Sequence, residues 1–293
     1  MTTPLSQLGE NAVLQRLLQQ LTAGAPMYVG PGDDCAVVPR DEHWDTLLKT
    51  DVVVEAVHFT RDTEPERIGH KALARAVSDI AAMGGIPEHA LVTLLIHGGR
   101  PVEAAEGIYR GLSRLAARYN ISIAGGETSS LPYDGLVINI ALTGRVERGK
   151  AILRSGGSPG DIICVSGPLG GSFPSGRHLD FEPRVELARH FMEHGPRPTA
   201  MMDLSDGLGT DLPRLAEASG CGFELFRTNI PCHDGCSVEQ AISDGEDYEL
   251  LFTIKPSDFE QQQATAQLPL YPIGLLTHTP SQSLSQGWQH FRA

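Results

Sequence analysis

Several familiar devices are missing from this chain. No run of about 18 apolar residues is present to cross a bilayer. The leading segment, 1–21, is polar and helix-like, without a basic start or a continuous apolar stretch, so no signal peptide is expected. Positive charge is scarce: 23 Lys and Arg stand against 36 Asp and Glu, a net charge of −13. Such a surface disfavours general binding to nucleic acid or to an anionic membrane. Cysteine is sparse and odd in number. Cys35, Cys164, Cys221, Cys232 and Cys236 are scattered, which suits reduced thiols and a cytoplasmic setting better than a disulfide framework. Cys232-His-Asp-Gly-Cys236 has no second ligand pair in sight and reads as a loop rather than a zinc site.

Catalytic signatures are missing too. There is no Walker A loop; the nearest approach, Gly171-Ser-Phe-Pro-Ser-Gly176, is followed by Arg177 and His178 where lysine and a hydroxyl are required. Gly30-Pro-Gly32-Asp-Asp-Cys35 lacks the third glycine of a dinucleotide fingerprint. No Gly-x-Ser-x-Gly elbow presents a serine nucleophile. His190-Phe-Met-Glu-His194 lacks the glutamate of a zinc protease helix and reads as a solvated helix face.

What is present is a foldable chain. Its 293 residues are 41% hydrophobic and 20% charged, enough for a sizeable core in one large domain or two medium ones. Period-two and period-3.6 patterns alternate. They predict strands over 46–54, 90–96, 121–124 and 136–145, with helices over 66–83 and 102–119. Gly149, Gly156, Gly157, Pro159 and Gly160 then cluster, which places a boundary near residue 148 and gives domains 1–148 and 149–293. The second half predicts strands over 162–165, 222–226 and 248–254, and helices over 184–193 and 208–219. The expected class is α/β (α+β).

The excess is acid beside glycine, next to apolar segments. Asp33-Asp34 precedes Ala36-Val-Val38, and Thr50-Asp51 lies between Leu47-Leu48 and Val52-Val-Val54. Asp79 sits in a helix that is apolar nearly all round. Gly125-Gly126-Glu127, Asp203-Leu-Ser-Asp206-Gly207 and Gly245-Glu246-Asp247 complete the set. An ionised carboxylate in an apolar setting costs roughly several kcal/mol unless compensated. Local alternatives exist: a turn at Asp33-Asp34, an ion pair of Asp79 with Arg75 one turn back, and an Asx turn and N-cap at Asp203 and Asp206. Taken together, the acids point to a divalent metal. Oxygen-only donors favour Mg²⁺, whose shell phosphate oxygens commonly complete, and adjacent glycines let backbone amides approach those phosphates.

Read in order, these segments resemble the thiamine-monophosphate kinase family. The matching stretches are Gly30-Pro-Gly-Asp-Asp-Cys-Ala-Val-Val38, Lys49-Thr-Asp-Val-Val-Val-Glu-Ala-Val-His-Phe59, Ser78-Asp-Ile-Ala-Ala-Met-Gly84, Gly125-Gly-Glu-Thr128, Gly167-Pro-Leu-Gly-Gly-Ser172, Met202-Asp-Leu-Ser-Asp-Gly-Leu208, Gly245-Glu-Asp-Tyr-Glu-Leu-Leu-Phe252 and Gly287-Trp-Gln-His-Phe291. They cover nearly the whole chain. Within the wider aminoimidazole ribonucleotide synthetase-like superfamily they are specific to this kinase.

The resemblance implies two domains, an N-terminal mixed sheet with flanking helices that dimerises and a C-terminal α/β domain, in a homodimer. It implies ATP and several Mg²⁺ ions in a cleft between the domains, and transfer of phosphoryl from ATP to thiamine phosphate. Carried over by motif, Asp34, Thr50, Asp51, Asp79, Glu127, Asp203 and Asp206 are the metal residues. Gly126, Arg154, Ser205 and Tyr109 are the nucleotide contacts, and His58, Glu246 and Trp288 the thiamine phosphate contacts. The acceptor is an anionic phosphate, so no general base or covalent nucleophile is expected. Three departures stand out: Glu127 replaces a shorter acid or amide, Thr128-Ser-Ser-Leu131 lacks the usual arginine, and Lys49 replaces a small hydroxyl residue. The remaining alternatives are another ATP-using enzyme of the superfamily and an inactive nucleotide-binding homologue.

Overall fold

The apolar periodicities sort into two five-stranded sheets in the computed structural model of the chain, which describes residues 4–22, 24–265 and 269–279 together with Leu284 and Gly287. In the first half, α1 (Glu10–Leu18) precedes β1 (Ala36–Pro39) and β2 (Trp44–Val54). Then come α2 (Pro65–Ala82), β3 (Ile86–His97), α3 (Val102–Arg118), β4 (Ser122–Leu131) and β5 (Leu136–Glu147). The second half runs β6 (Ile162–Val165), α4 (Ser172–Ser175), α5 (Val185–His194), β7 (Ala200–Asp203), α6 (Leu208–Ala218) and β8 (Gly222–Leu225). It ends with α7 (Val238–Ser243), β9 (Leu250–Ile254), α8 (Pro256–Thr265) and β10 (Tyr271–Thr277). No helix among the described residues is long and apolar enough to cross a membrane.

The first sheet has the order β1-β2-β5-β3-β4 and is mixed: only β3 and β4 run parallel. The second, β7-β9-β6-β10-β8, is antiparallel throughout. β5 shows the alternation that a one-sided sheet requires. Ile138, Ile140 and Leu142 are buried while Asn139, Ala141 and Thr143 are half-buried. The buried face packs on α2. The opposite face carries exposed Leu48, Val52 and Leu91.

Helix α2 is the element that joins the halves. Ala72, Leu73, Ala76, Val77 and Ile80 are fully or almost fully buried, and the helix packs against β2 and β5 on one side and α5 and β7 on the other. α3 lies close enough that a Cβ on Gly111 would sit 1.9 Å from the Glu66 carbonyl oxygen, so only glycine fits there. One apolar core therefore runs from Val37 and Leu47 through α2 to Phe191 and Phe252.

The strand expected to stop at residue 124 continues as β4 to Leu131, because Gly125 to Ser130 pair in register with Leu91 to Ile96. Six elements lie outside those expected from the sequence: the short β1, β7, β10, α4 and α7, of four to seven residues each, and the ten-residue α8.

Candidate active site

Four backbone elements deliver the acids. Asp34 lies in the turn before β1, Asp51 on β2, Asp79 on α2 and Asp203 at the end of β7. Asp34, Asp79 and Asp203 are all buried, and each offers a carboxylate oxygen within 4.8 Å of the others'. Asp34 Oδ2 is buried without a hydrogen-bond partner, and Ser78 donates to Asp203 at 2.7 Å. Burial, and then the charge of Asp34, raises Asp203 to about 7. Burial also pushes Asp79 well above the ordinary aspartate range, with Asp203, Asp51 and Asp34 adding to the effect against Lys49. Asp33, beside the trio, is raised to about 6 by burial and by Asp34. Three acids held this close are costly without a cation, and an all-carboxylate donor set with an orphaned oxygen fits a hard divalent ion.

Fixed cations ring the trio. Lys49 Nζ is 2.7 Å from Asp79 and 3.9 Å from Asp51. Burial works against its ammonium, but Asp79 and Asp51 outweigh that and hold its pKa above the ordinary lysine value. Arg154 pairs with Asp34, and its backbone amide donates to Asp33 at 3.2 Å. Arg75 lies 3.2 Å from Asp51. The alternative reading of Asp79, an ion pair with Arg75, is not what forms: Lys49 of β2 takes Asp79 and Arg75 takes Asp51.

The trio opens into a cleft of about 870 Å³ lined by Lys49, Asp51, Arg154, Asp206 and residues of α1 including Leu14. A second cavity of about 690 Å³ adjoins it, lined by Val57, Phe173, Gln240, Asp244 and Glu246. The two share His58, Arg75, Ser205, Asp206 and Tyr248. Asp206 does not join the trio; it pairs with Arg214 at 2.5 Å, and its amide donates to the buried Asp211 at 2.9 Å. His58 Nδ1 accepts from the Val54 amide at 3.0 Å. Glu246 takes two 2.7 Å bonds from Lys71 and lies 3.0 Å from His178. Burial disfavours its charge, but His178 and Lys71 keep it ionised down to about 2.

Other candidates lie apart. Asp51, Ile140, Val92 and Gly126 form one row across the sheet, which puts Gly126 three strand spacings, about 14 Å, from Asp51. A Cβ at Gly126 would meet the Val92 carbonyl oxygen at 1.8 Å. Glu127 is exposed on β4 opposite Thr93, one residue out of phase with buried Val92, and so projects to the open face. Thr50 is exposed there too, donating to Asn139 at 3.0 Å. Tyr109 lies on the outer surface of α3 in a shallow depression with Glu106 and Arg110. None of these four lines either cavity. Trp288 is outside the described residues. The residues that sequence reasoning missed are Lys71 and His178; a lysine directly before the apolar run Ala72-Leu-Ala74 was the available signal for the first.

Comparison with known proteins places this arrangement. Residues 32–146 match the family described as AIR synthase related protein, N-terminal domain. The thiamine-monophosphate kinase of Bacillus subtilis is 34% identical over 277 residues, covering 84% of each chain. That of Rhodopirellula baltica is 39% identical over 249 residues, 78% of this chain and 77% of that one. The solved structure of AaThiL complexed with AMPPCP and TMP superposes with a TM-score of 0.88 at 30% identity, covering 99% of both chains. The acid trio and its paired cavities thus lie in a chain that belongs to the thiamine-monophosphate kinase family.

Proposed function

We propose that the chain transfers the γ-phosphoryl group of ATP to thiamine phosphate, forming ADP and thiamine diphosphate. The observation that carries this reading is the pair of adjoining cavities, one opening on the acid trio and the other walled by Val57, Phe173 and Glu246. The relatives' names and the AaThiL complex with an ATP analogue and thiamine phosphate support it. The triphosphate lies in the first cavity against Arg154 and Ser205. Thiamine lies in the second, its cationic ring facing Glu246 and the exposed Phe173 face, with His58 between the two sites.

Asp34, Asp79 and Asp203 hold Mg²⁺, with Asp51 and Asp206 at the margin. Bound Mg²⁺ supplies neutralisation of the phosphate oxygens. The chain's part is positioning. The acceptor oxygen is already anionic, so it forms the new bond to γ-phosphorus while the bond to the β-bridging oxygen breaks and its electron pair leaves on ADP. No proton moves and no residue is covalently modified.

The same reading extends to assembly. We propose domains 1–148 and 149–293, a cytoplasmic enzyme, and a homodimer formed through the open sheet face with its exposed Leu48, Val52 and Leu91. Thr50, Gly126 and Glu127 lie on that face or the adjoining sheet edge and would reach a cleft only across such an interface. Tyr109 finds no support in the cleft of its own chain.

A coupled assay for ADP tests the reading: release requires ATP and thiamine phosphate together. Equal ADP release without thiamine phosphate, or none with it, would overturn the proposal. A second expectation concerns Lys49, whose ammonium occupies Asp79. Lys49→Met removes a competing cation, and the Mg²⁺ concentration for half-maximal rate is expected to fall about tenfold, the effect of about 1.4 kcal/mol. An unchanged Mg²⁺ titration would mean that Lys49 swings clear when the site fills.

A further inference from the structure

We propose that Arg75 is a catalytic residue that grips the acceptor phosphate at the junction of the two cavities and carries charge from it during transfer. The proposal rests on the kinase reading above. That reaction brings two anions together: the phosphate of the acceptor and the γ-phosphoryl group. The junction is where they must meet, because the nucleotide lies on one side of it and thiamine on the other. Of the five residues that line both cavities, Arg75 alone carries a permanent positive charge. Within the second cavity it is the one lysine or arginine among the described lining residues, which otherwise include the acids Asp206, Asp244 and Glu246. Among the described residues, an acceptor phosphate entering that cavity finds no other fixed cation in its wall.

Arg75 is also held ready for this task. One terminal nitrogen donates to the Val52 carbonyl at 2.8 Å, and the other lies 3.2 Å from Asp51. These contacts fix the plane of the guanidinium without using all its donors: Nε is buried and has no hydrogen-bond partner. Burial closes Nε off from the cavity, but each terminal nitrogen carries two N–H groups and uses one, which leaves a second on each for phosphate oxygens. Arg75 stands one helical turn before Asp79, so α2 presents the metal acid and the arginine from the same face. In the transfer step the P–O bond to ADP breaks, the acceptor P–O bond forms, and Arg75 neutralises charge on the acceptor oxygens without exchanging a proton.

The test compares binding of thiamine phosphate and of thiamine by titration calorimetry, in the full chain with AMPPCP and Mg²⁺, alongside kcat and both KM values. The parent should prefer the phosphate form. Arg75→Met should lose about 20-fold in affinity for thiamine phosphate and almost nothing for thiamine, with kcat down about 30-fold and KM for ATP within about twofold. Arg75→Gln keeps a polar, uncharged side chain on α2 and should show the same selective loss if the methionine variant does not fold; Arg75→Lys should recover part of it. A variant that keeps the full preference for the phosphate, or that loses thiamine and thiamine phosphate equally, would show Arg75 to be a clamp between α2 and β2. A parent that does not distinguish the two ligands would instead overturn the assignment of the second cavity, and Arg75 with it.

Discussion

Asp79→Asn is expected to lower kcat by at least ~100-fold, a loss of ~2.7 kcal/mol in transition-state stabilisation, while the metal-free chain stays folded. The change keeps the size of the side chain and removes one charge from the trio with Asp34 and Asp203. Metal affinity depends on that charge, because three carboxylates are what the described residues gather in one place. The fold is not at risk in the same way. Asp79 is buried, and burial and three neighbouring acids already push its pKa well above the ordinary range. Neutralising it relieves that repulsion. Lys49 loses its 2.7 Å partner but retains Asp51 at 3.9 Å. The two effects oppose each other, so the melting temperature should move by only a few degrees. Asp203→Asn should behave alike, with Ser78 still bonded to the amide oxygen. Near-normal turnover in both variants would make the acids structural and remove them from the metal site.

Much of this site was legible before any fold was known, and the reason is energetic. Asp34, Asp79 and Asp203 stand out in sequence because each is a charge beside a core segment, and the fold brings those three together. Distance along the chain was no obstacle, since each acid announced its cost locally. Partner choice was less legible. Arg75 and Asp79 are spaced for a helical ion pair, yet β2 supplies Lys49 to one and Asp51 to the other. A helix-surface rule fails where a strand lies across the helix. β4 was misread for a different reason. Gly125-Gly-Glu-Thr-Ser-Ser130 has the composition of a turn, and its extended form comes from pairing with β3, a non-local cause. The placement of Thr50 and Glu127 on the open face follows from the same register. The resemblance carried both over as metal residues; alternation along β2 turns Thr50 away from Asp51, and the sheet order puts Glu127 in the row of exposed Val52.

Removal of divalent metal has the largest expected effect: turnover in excess EDTA should fall at least ~1,000-fold, about 4 kcal/mol, because Lys49 and Arg154 are already paired with Asp79 and Asp34 and Arg75 alone faces two phosphates. A stability signature should accompany it. Asp33 and Asp203 have folded pKa values of about 6 and about 7, against an ordinary value of 3.8, chiefly through burial and the charge of Asp34. A carboxyl whose folded pKa is raised favours the fold while it is protonated. That contribution is complete below pH 3.8 and is lost as pH rises through 6 and 7. The melting temperature of the metal-free chain should therefore fall by about 5 °C or more between pH 5 and pH 8. Mg²⁺ takes the deprotonated form, so at pH 8 a hundredfold excess over its Kd should stabilise by about 2.7 kcal/mol, and the same Mg²⁺ concentration should stabilise less at pH 5. The metal-bound profile should then be flatter than the metal-free one. Parallel profiles would show that the ion sits away from Asp203, and full turnover in EDTA would show that the acids serve another purpose.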